Sequence, residues 1–121
     1  MGRYIVLLPG DEDAWEAATP QQRAEGYAAH ERFAAALTER GHQIRGGAEL
    51  AHSRTARSIR RQPDGSTVVT DGPFAETVEQ LTGFFDIESD DLHDLVAICR
   101  ELVGAGESIE LRPVASQEVP S

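Results

Sequence analysis

The order of the predicted elements indicates an α+β fold with a mostly antiparallel sheet. Two long helical segments and six strand segments follow one another as β-α-β-β-β-β-α-β within 121 residues. These connections resemble the ferredoxin-like split βαβ arrangement with an extra β-hairpin. A chain of this length can build one modest core. We therefore predict a single ferredoxin-like domain over residues 1–114 and a flexible tail over residues 115–121.

The first strand is predicted over residues 3–9, a short, β-branched and apolar run that ends at Pro9 and Gly10. Because this run is apolar on both faces, we expect it in the middle of the sheet. The acidic residues 11–13 that follow are predicted to form a loop.

The first long helix has a clear start and end. Thr19, Pro20 and Gln22 are typical of an N-cap, a first helical residue and a capping box. Gly41 is typical of the residue after a helix. One stripe of this helix carries residues at spacings of three and four, which places His30 on its core side: Tyr27, His30, Ala34 and Leu37.

The middle of the chain predicts three further strands. Residues 43–50 form a strand interrupted by Gly46 and Gly47, which indicates a bulge or a close backbone approach. Residues 56–62 and 66–70 indicate a hairpin. One helical turn is expected near residues 76–80.

The fifth strand, residues 81–87, carries large apolar side chains on both faces. Phe85 lies on one face and Phe84 on the other. Such a strand is usually covered on both sides, and a second subunit is a natural cover in a chain with few helices. The second long helix is expected to have Asp90 or Ser89 as its N-cap and to end at Gly104 and Gly106. A last strand is expected over residues 107–114.

The composition excludes several classes of function. A formal net charge of −10 repels phosphate backbones and anionic lipid, so no nucleic-acid or membrane partner is expected. All 11 basic residues are arginine, which excludes Schiff-base lysine chemistry. The single cysteine, Cys99, cannot form an intrachain disulfide and fits a reducing cytoplasm.

Residues 71–77, Asp-Gly-Pro-Phe-Ala-Glu-Thr, predict a tight corner. Pro73 fixes its own backbone, and Gly72 can adopt conformations closed to other residues. Asp71 can accept hydrogen bonds from the backbone that follows it. Together with Glu79-Gln80-Leu81 and Gly83-Phe84, this segment resembles the DGPF-motif branch of the YCII-related family. The resemblance implies a ferredoxin-like fold of the dimeric α/β-barrel type, with a cytoplasmic homodimer packed sheet against sheet.

His30 is the main candidate for a functional residue. An imidazole titrates near neutral pH, so it can serve as a general acid or base, and it can equally be a structural histidine. The resemblance implies that His30 pairs with an aspartate in an active site. Asp71 is the expected partner and Glu76 the alternative, because a carboxylate beside an imidazole fixes its tautomer.

Arg60 is the candidate for substrate binding. It belongs to a group of arginines over residues 54–61 that can hold a substrate carboxylate or line a solvated strand. The resemblance singles out Arg60, since related proteins carry basic residues at a similar place. The four histidines show no ligand spacing, and no phosphate-binding motif is present, so neither a metal nor a cofactor is predicted.

Two functions follow from these expectations. The first is a small cofactor-independent enzyme that uses His30 and Asp71 for acid/base chemistry on a small polar or lactone-like molecule. The second, also implied by the resemblance, is a non-catalytic ligand-binding or regulatory module associated with extracytoplasmic-function sigma factors.

Overall fold

Six strands and three α-helices make up the part of the chain that a computed structural model describes, residues 2–115. The elements are β1 (Gly2–Asp11), α1 (Glu12–Ala17), α2 (Pro20–Glu39), β2 (Gln43–Glu49), β3 (Arg57–Arg61), β4 (Thr67–Asp71), β5 (Glu79–Ser89), α3 (Leu92–Gly104) and β6 (Glu110–Pro113). A single 3-10 turn over Ser53–Thr55 precedes β3. Residues 116–121 of the predicted tail lie outside the described residues.

The strands form two antiparallel sheets. The larger sheet has four strands in the order β2-β5-β1-β6, and β3 and β4 form a separate two-stranded sheet. In the larger sheet β1 pairs with β5 along its whole length, from Gly2 opposite Ser89 to Asp11 opposite Glu79. The prediction of an α+β, ferredoxin-like fold with an extra hairpin is confirmed. None of the helices within residues 2–115 is both long and apolar enough to cross a lipid bilayer.

Helix α2 begins as its sequence predicts. The Thr19 side chain accepts a hydrogen bond from the Gln22 amide at 3.1 Å, and the Gln22 side chain accepts one from the Thr19 amide at 2.9 Å. This reciprocal pair satisfies two amides that a helix start leaves without partners.

The core lies between one face of the larger sheet and the helices α2 and α3. The buried apolar side chains come from β1, α2, β5 and α3 and include Val6, Leu8, Phe33, Leu37, Ile87, Leu95, Ile98 and Leu102. Cys99 lies among them with 6% of its surface exposed, and burial raises the pKa of its thiol to about 11. Both values are typical of a structural rather than a reactive cysteine.

Three local predictions were wrong. Residues 12–17 form helix α1 rather than a loop, because the Asp11 side chain accepts a hydrogen bond from the Ala14 amide at 3.0 Å and two acidic residues occupy the first turn. No helical turn forms at residues 76–80, where β5 already begins at Glu79. Helix α3 is capped by Asp91 instead of Ser89 or Asp90, since the Asp91 carboxylate accepts from the Asp94 amide.

The glycines of β2 behave as the sequence predicts. The register between β2 and β5 shifts between Ile44 and Gly46, which is the expected irregularity. A Cβ atom on Gly47 would lie 2.5 Å from the Phe84 carbonyl oxygen, so this position accepts only glycine without a shift of the backbone.

The corner at Gly72 also needs its glycine. Its φ is +100°, in the region that disfavours side chains. The Gly72 amide donates to the Ala56 carbonyl at 2.8 Å, and the buried Ser58 hydroxyl donates to the Gly72 carbonyl at 2.6 Å. The corner is therefore held by Ser58 of β3 and by Ala56 just before that strand, rather than by the Asp71 carboxylate.

Replacing Gly72 by valine is expected to lower the free energy of unfolding by about 1–3 kcal/mol, because a β-branched residue would be held at positive φ. A Cβ at this position would meet no described atom within 4 Å, so the loss comes from the backbone. Gly46→Val is the matched control, since Gly46 also faces open space and its φ is not in the left-handed region. Urea denaturation measures both, and equal losses would contradict the assignment of strain to Gly72.

Candidate functional site

A cavity of about 1340 Å³ opens between helices α1 and α2 and the core face of the larger sheet. Its wall also includes the residues that follow β2 and the loop between α3 and β6. His30 lies in this wall, whereas Asp71, Glu76 and Arg60 do not. One of the predicted site residues is thus placed on a cavity.

Helix α1 packs against α2 and forms the outer wall of the cavity. A Cβ on Gly26 would lie 3.1 Å from the Trp15 ring, so the indole packs where α2 has no side chain. Trp15 also meets the Tyr27 ring edge to face, with centroids 5.3 Å apart and planes at 89°. This contact explains a glycine in the middle of a helix, where it costs about 1 kcal/mol relative to alanine.

The His30 imidazole is paired with Glu107. Its Nε2 lies 2.8 Å from Glu107 Oε1, and the two side chains are 30% and 29% exposed. An ionised carboxylate only accepts hydrogen bonds, so Nε2 carries the proton and Nδ1 holds the free lone pair of the neutral ring. Phe85, at a centroid distance of 6.1 Å, separates His30 from the core and contacts Phe33 in turn.

Asp71 is not brought to His30. It is the last residue of β4, its side chain is 85% exposed, and its carboxylate lies 3.3 Å from Arg57 Nη1. Because β3 and β4 form a sheet of their own, residue 71 stays with the hairpin, outside the cavity wall. The alternative partner, Glu76, is exposed in the segment between β4 and β5 and also lies outside that wall.

Arg60 contacts the corner segment instead of the cavity. Its guanidinium donates a hydrogen bond to the Phe74 carbonyl and stacks 4.5 Å from the centroid of the Phe74 ring. These contacts tie the segment after β4 to strand β3. Arg60 therefore has a structural role that was not predicted from the sequence.

A second hydrogen-bonded pair, Tyr27 and Glu49, lies one helical turn from His30. The Tyr27 hydroxyl is 3.1 Å from both carboxylate oxygens of Glu49, at the end of β2. Burial and the neighbouring Glu49 raise the pKa of Tyr27, so the phenol stays neutral and donates. Tyr27 and His30 are three residues apart and therefore share the cavity face of α2.

Asp13, Glu16 and His52 are the described residues that could hold a metal ion, with ligand atoms all within 4.8 Å of one another. Their atoms already have partners. The Arg54 amide donates to His52 Nδ1 at 3.1 Å, so Nε2 carries the proton and donates to Asp13 at 2.7 Å. The Arg54 guanidinium binds both oxygens of Glu16, and this hydrogen bonding lowers the pKa of Glu16.

Another histidine takes part in a buried hydrogen-bonded chain. His42 Nδ1 lies 2.8 Å from the Ser89 hydroxyl, and His42 Nε2 lies 2.8 Å from Asp94. Hydrogen bonds from His42 and Arg40 lower the pKa of Asp94. Ser89 and His42 are 2% and 5% exposed, and neither lies in the cavity wall. This serine, histidine and aspartate therefore connect β5 and α3 to the segment that follows α2.

A model of the YCII-related domain matches residues 3–116, nearly the whole chain. The chain belongs to the YCII-related family. This YCII-related protein is also 44% identical over 64 residues to an uncharacterized protein of Rhizobium meliloti (strain 1021), in a match that covers 50% of this chain and 52% of the relative. It thus spans about half the length of the curated relative it matches. Membership of the DGPF branch stays a prediction.

Two features of this YCII-related protein were not predicted from its sequence: Glu107 as the partner of His30, and helix α1. Glu107 follows Gly104 and Gly106, which end α3 and turn the chain back toward α2, and Gly106 has a φ of +115°. The two glycines predict that the helix ends here, but they do not indicate that Glu107 contacts His30. For α1 a signal was present, because Asp11 followed by two acidic residues is typical of a helix start.

Proposed function

We propose that this YCII-related protein is a small enzyme that transfers protons with His30, held by Glu107, on a small polar molecule bound in the cavity. The observation that supports it is the 2.8 Å contact between His30 Nε2 and Glu107 Oε1 in the cavity wall. A carboxylate on one ring nitrogen fixes the tautomer and raises the basicity of the other.

The two residues have separate roles in this proposal. The Nε2–H group of His30 donates a hydrogen bond to Glu107. The Nδ1 lone pair then takes a proton from the substrate and later returns it. Glu107 stabilises the imidazolium formed between these steps, as an orienting carboxylate does beside a catalytic histidine. Both steps use groups that the chain itself supplies, so the proposal needs no cofactor.

Deuterium exchange tests the proposal. The protein is incubated in D2O with small ketones and unsaturated γ-lactones, and loss of the proton next to the carbonyl is followed by NMR. We expect exchange with the wild type and with His93→Gln, an exposed histidine outside the cavity, and loss of exchange with His30→Gln. Exchange at the wild-type rate in His30→Gln would refute the catalytic role.

The alternative function is a non-catalytic module that binds a small molecule in the same cavity and acts through a partner such as a sigma factor. The volume of the cavity is compatible with both functions, because about 300–1000 Å³ suffices for a drug-sized ligand. Specific binding in the cavity without any His30-dependent exchange favours the module.

We further propose that the protein is a homodimer joined through the face of the larger sheet opposite the helices. By strand alternation, Ile5, Leu7 and Phe84 point to that face, which no helix within residues 2–115 covers. The ion pair between Arg3 and Asp86, 2.7 Å apart, lies on the same face. An apolar centre beside charged side chains is the usual composition of a protein interface.

Replacing Leu7 by arginine is therefore expected to convert the dimer into a monomer, because a charge would be buried without a partner at the centre of the interface. Val96→Arg is the control, since Val96 is 41% exposed on α3, on the helical side of the molecule. Sedimentation velocity at micromolar concentration distinguishes the two forms. A wild type that sediments as a monomer would rule out the dimer.

A further inference from the structure

The wall of the cavity carries far more negative than positive charge. Of the residues described, one guanidinium lines it, that of Arg23. The carboxylates that line it number six: Asp11, Glu12, Glu16, Glu49, Glu79 and Glu107. The Arg23 guanidinium donates to the backbone carbonyls of Trp15 and Glu16 at 3.3 and 2.7 Å, so it is held at the end of α1.

Two of these carboxylates accept hydrogen bonds from side chains of α2. Glu49 accepts from the Tyr27 hydroxyl, and Glu107 accepts from His30. Glu16, by contrast, is neutralised by Arg54. Because the raised pKa of Tyr27 keeps its phenol neutral, Glu49 keeps its negative charge in the wall.

Aromatic rings stand beside these charges. Trp15 and Tyr27 meet edge to face at one side, and Phe85 lies next to His30 at the other. Carboxylates together with aromatic rings are the chemistry that recognises organic cations, whereas a carboxylate or phosphate ligand would meet repulsion here.

We propose that the cavity binds a positively charged organic molecule, an amine with a small apolar or aromatic body. This inference rests on the proposed function and names the substrate class of the same site. The cavity and the His30–Glu107 pair define the site. The excess of carboxylates in its wall favours a ligand of positive charge. Glu49 binds the ammonium group, which leaves His30 free to act on a neighbouring proton.

Three aromatic probes of similar size and different charge test the inference: benzylamine, benzyl alcohol and benzoate. Binding is measured by NMR titration of the full chain at low salt. We expect benzylamine to bind about tenfold more tightly than either of the others, as one hydrogen bond to a charged group provides. Its binding should weaken as salt is added, because the attraction is partly screened.

Glu49→Gln is expected to weaken benzylamine binding about tenfold and to leave benzyl alcohol unaffected. Glu31→Gln is the matched control, an exposed glutamate of α2 outside the cavity wall, and should change neither. Benzoate binding as tightly as benzylamine, no binding of any probe at millimolar concentration, or an unchanged Glu49→Gln variant would overturn the inference.

These results are independent of the deuterium exchange experiment. Exchange that depends on His30, together with no preference for benzylamine, would overturn the substrate class and leave the proposed function standing. A preference for benzylamine without exchange that depends on His30 would overturn the catalytic role and leave a cavity for cations.

Discussion

Replacing His30 by glutamine is expected to slow proton exchange by about 10²–10⁴-fold, the usual contribution of a general acid or base. Replacing Glu107 by glutamine should slow it less, by about 10–100-fold, as for other residues that orient a catalytic group. Glutamine at position 107 can still accept the hydrogen bond from Nε2 but cannot stabilise the imidazolium. Glu107 therefore affects the reaction through His30.

The two variants separate binding from chemistry. In both, the loss should appear in kcat with KM little changed, because the missing interaction is made mainly in the transition state. Glu31→Gln and His93→Gln, both outside the cavity wall, control for the loss of a charge or an imidazole elsewhere. A Glu107→Gln variant with wild-type kcat would remove Glu107 from the mechanism.

Leu37→Ala is expected to lower the free energy of unfolding by about 2–5 kcal/mol, which is a large part of the stability of a domain of this size. Leu37 is completely buried between α2 and the rest of the core, so the shortened side chain leaves a cavity. The buried side chains of α3 in the same core are Leu95, Ile98, Cys99 and Leu102. A packed core relaxes only partly into such a gap.

Leu92→Ala is the matched control for this prediction. Leu92 is 45% exposed at the start of α3, and its truncation should cost less than about 1 kcal/mol. Urea denaturation of both variants, with the same slope against denaturant, gives the comparison. Similar losses in the two variants would mean that the core is not where the structure places it.

The parts of the fold that follow from local chemistry were predictable from the sequence. The capping box at Thr19 and Gln22 fixes the start of α2, and the glycines at 46 and 47 mark an irregular strand. Each of these features depends on residues close together in the chain. The position of His30 on a stripe of α2 likewise needed only the helical period.

The partner of His30 could not be predicted in the same way. Glu107 is 77 residues away, in a loop whose direction depends on how α3 packs against α2. Asp71 belongs to a conspicuous motif, but the hairpin that carries it forms its own sheet. The wall made by Trp15 was missed for a related reason, because a six-residue helix has little periodicity and is held by its contact with α2.

The pairing of His30 with Glu107 is tested most directly by a double-mutant cycle on the free energy of unfolding. The variants are His30→Ala, Glu107→Ala and their combination, since alanine, unlike glutamine, cannot keep the hydrogen bond. A second cycle pairs His30→Ala with Asp71→Ala. We expect a coupling energy of about 0.5–1.5 kcal/mol between His30 and Glu107, as for a hydrogen bond to a charged group that is partly exposed, and none between His30 and Asp71. Coupling of His30 to Asp71, with none to Glu107, would contradict the site described here.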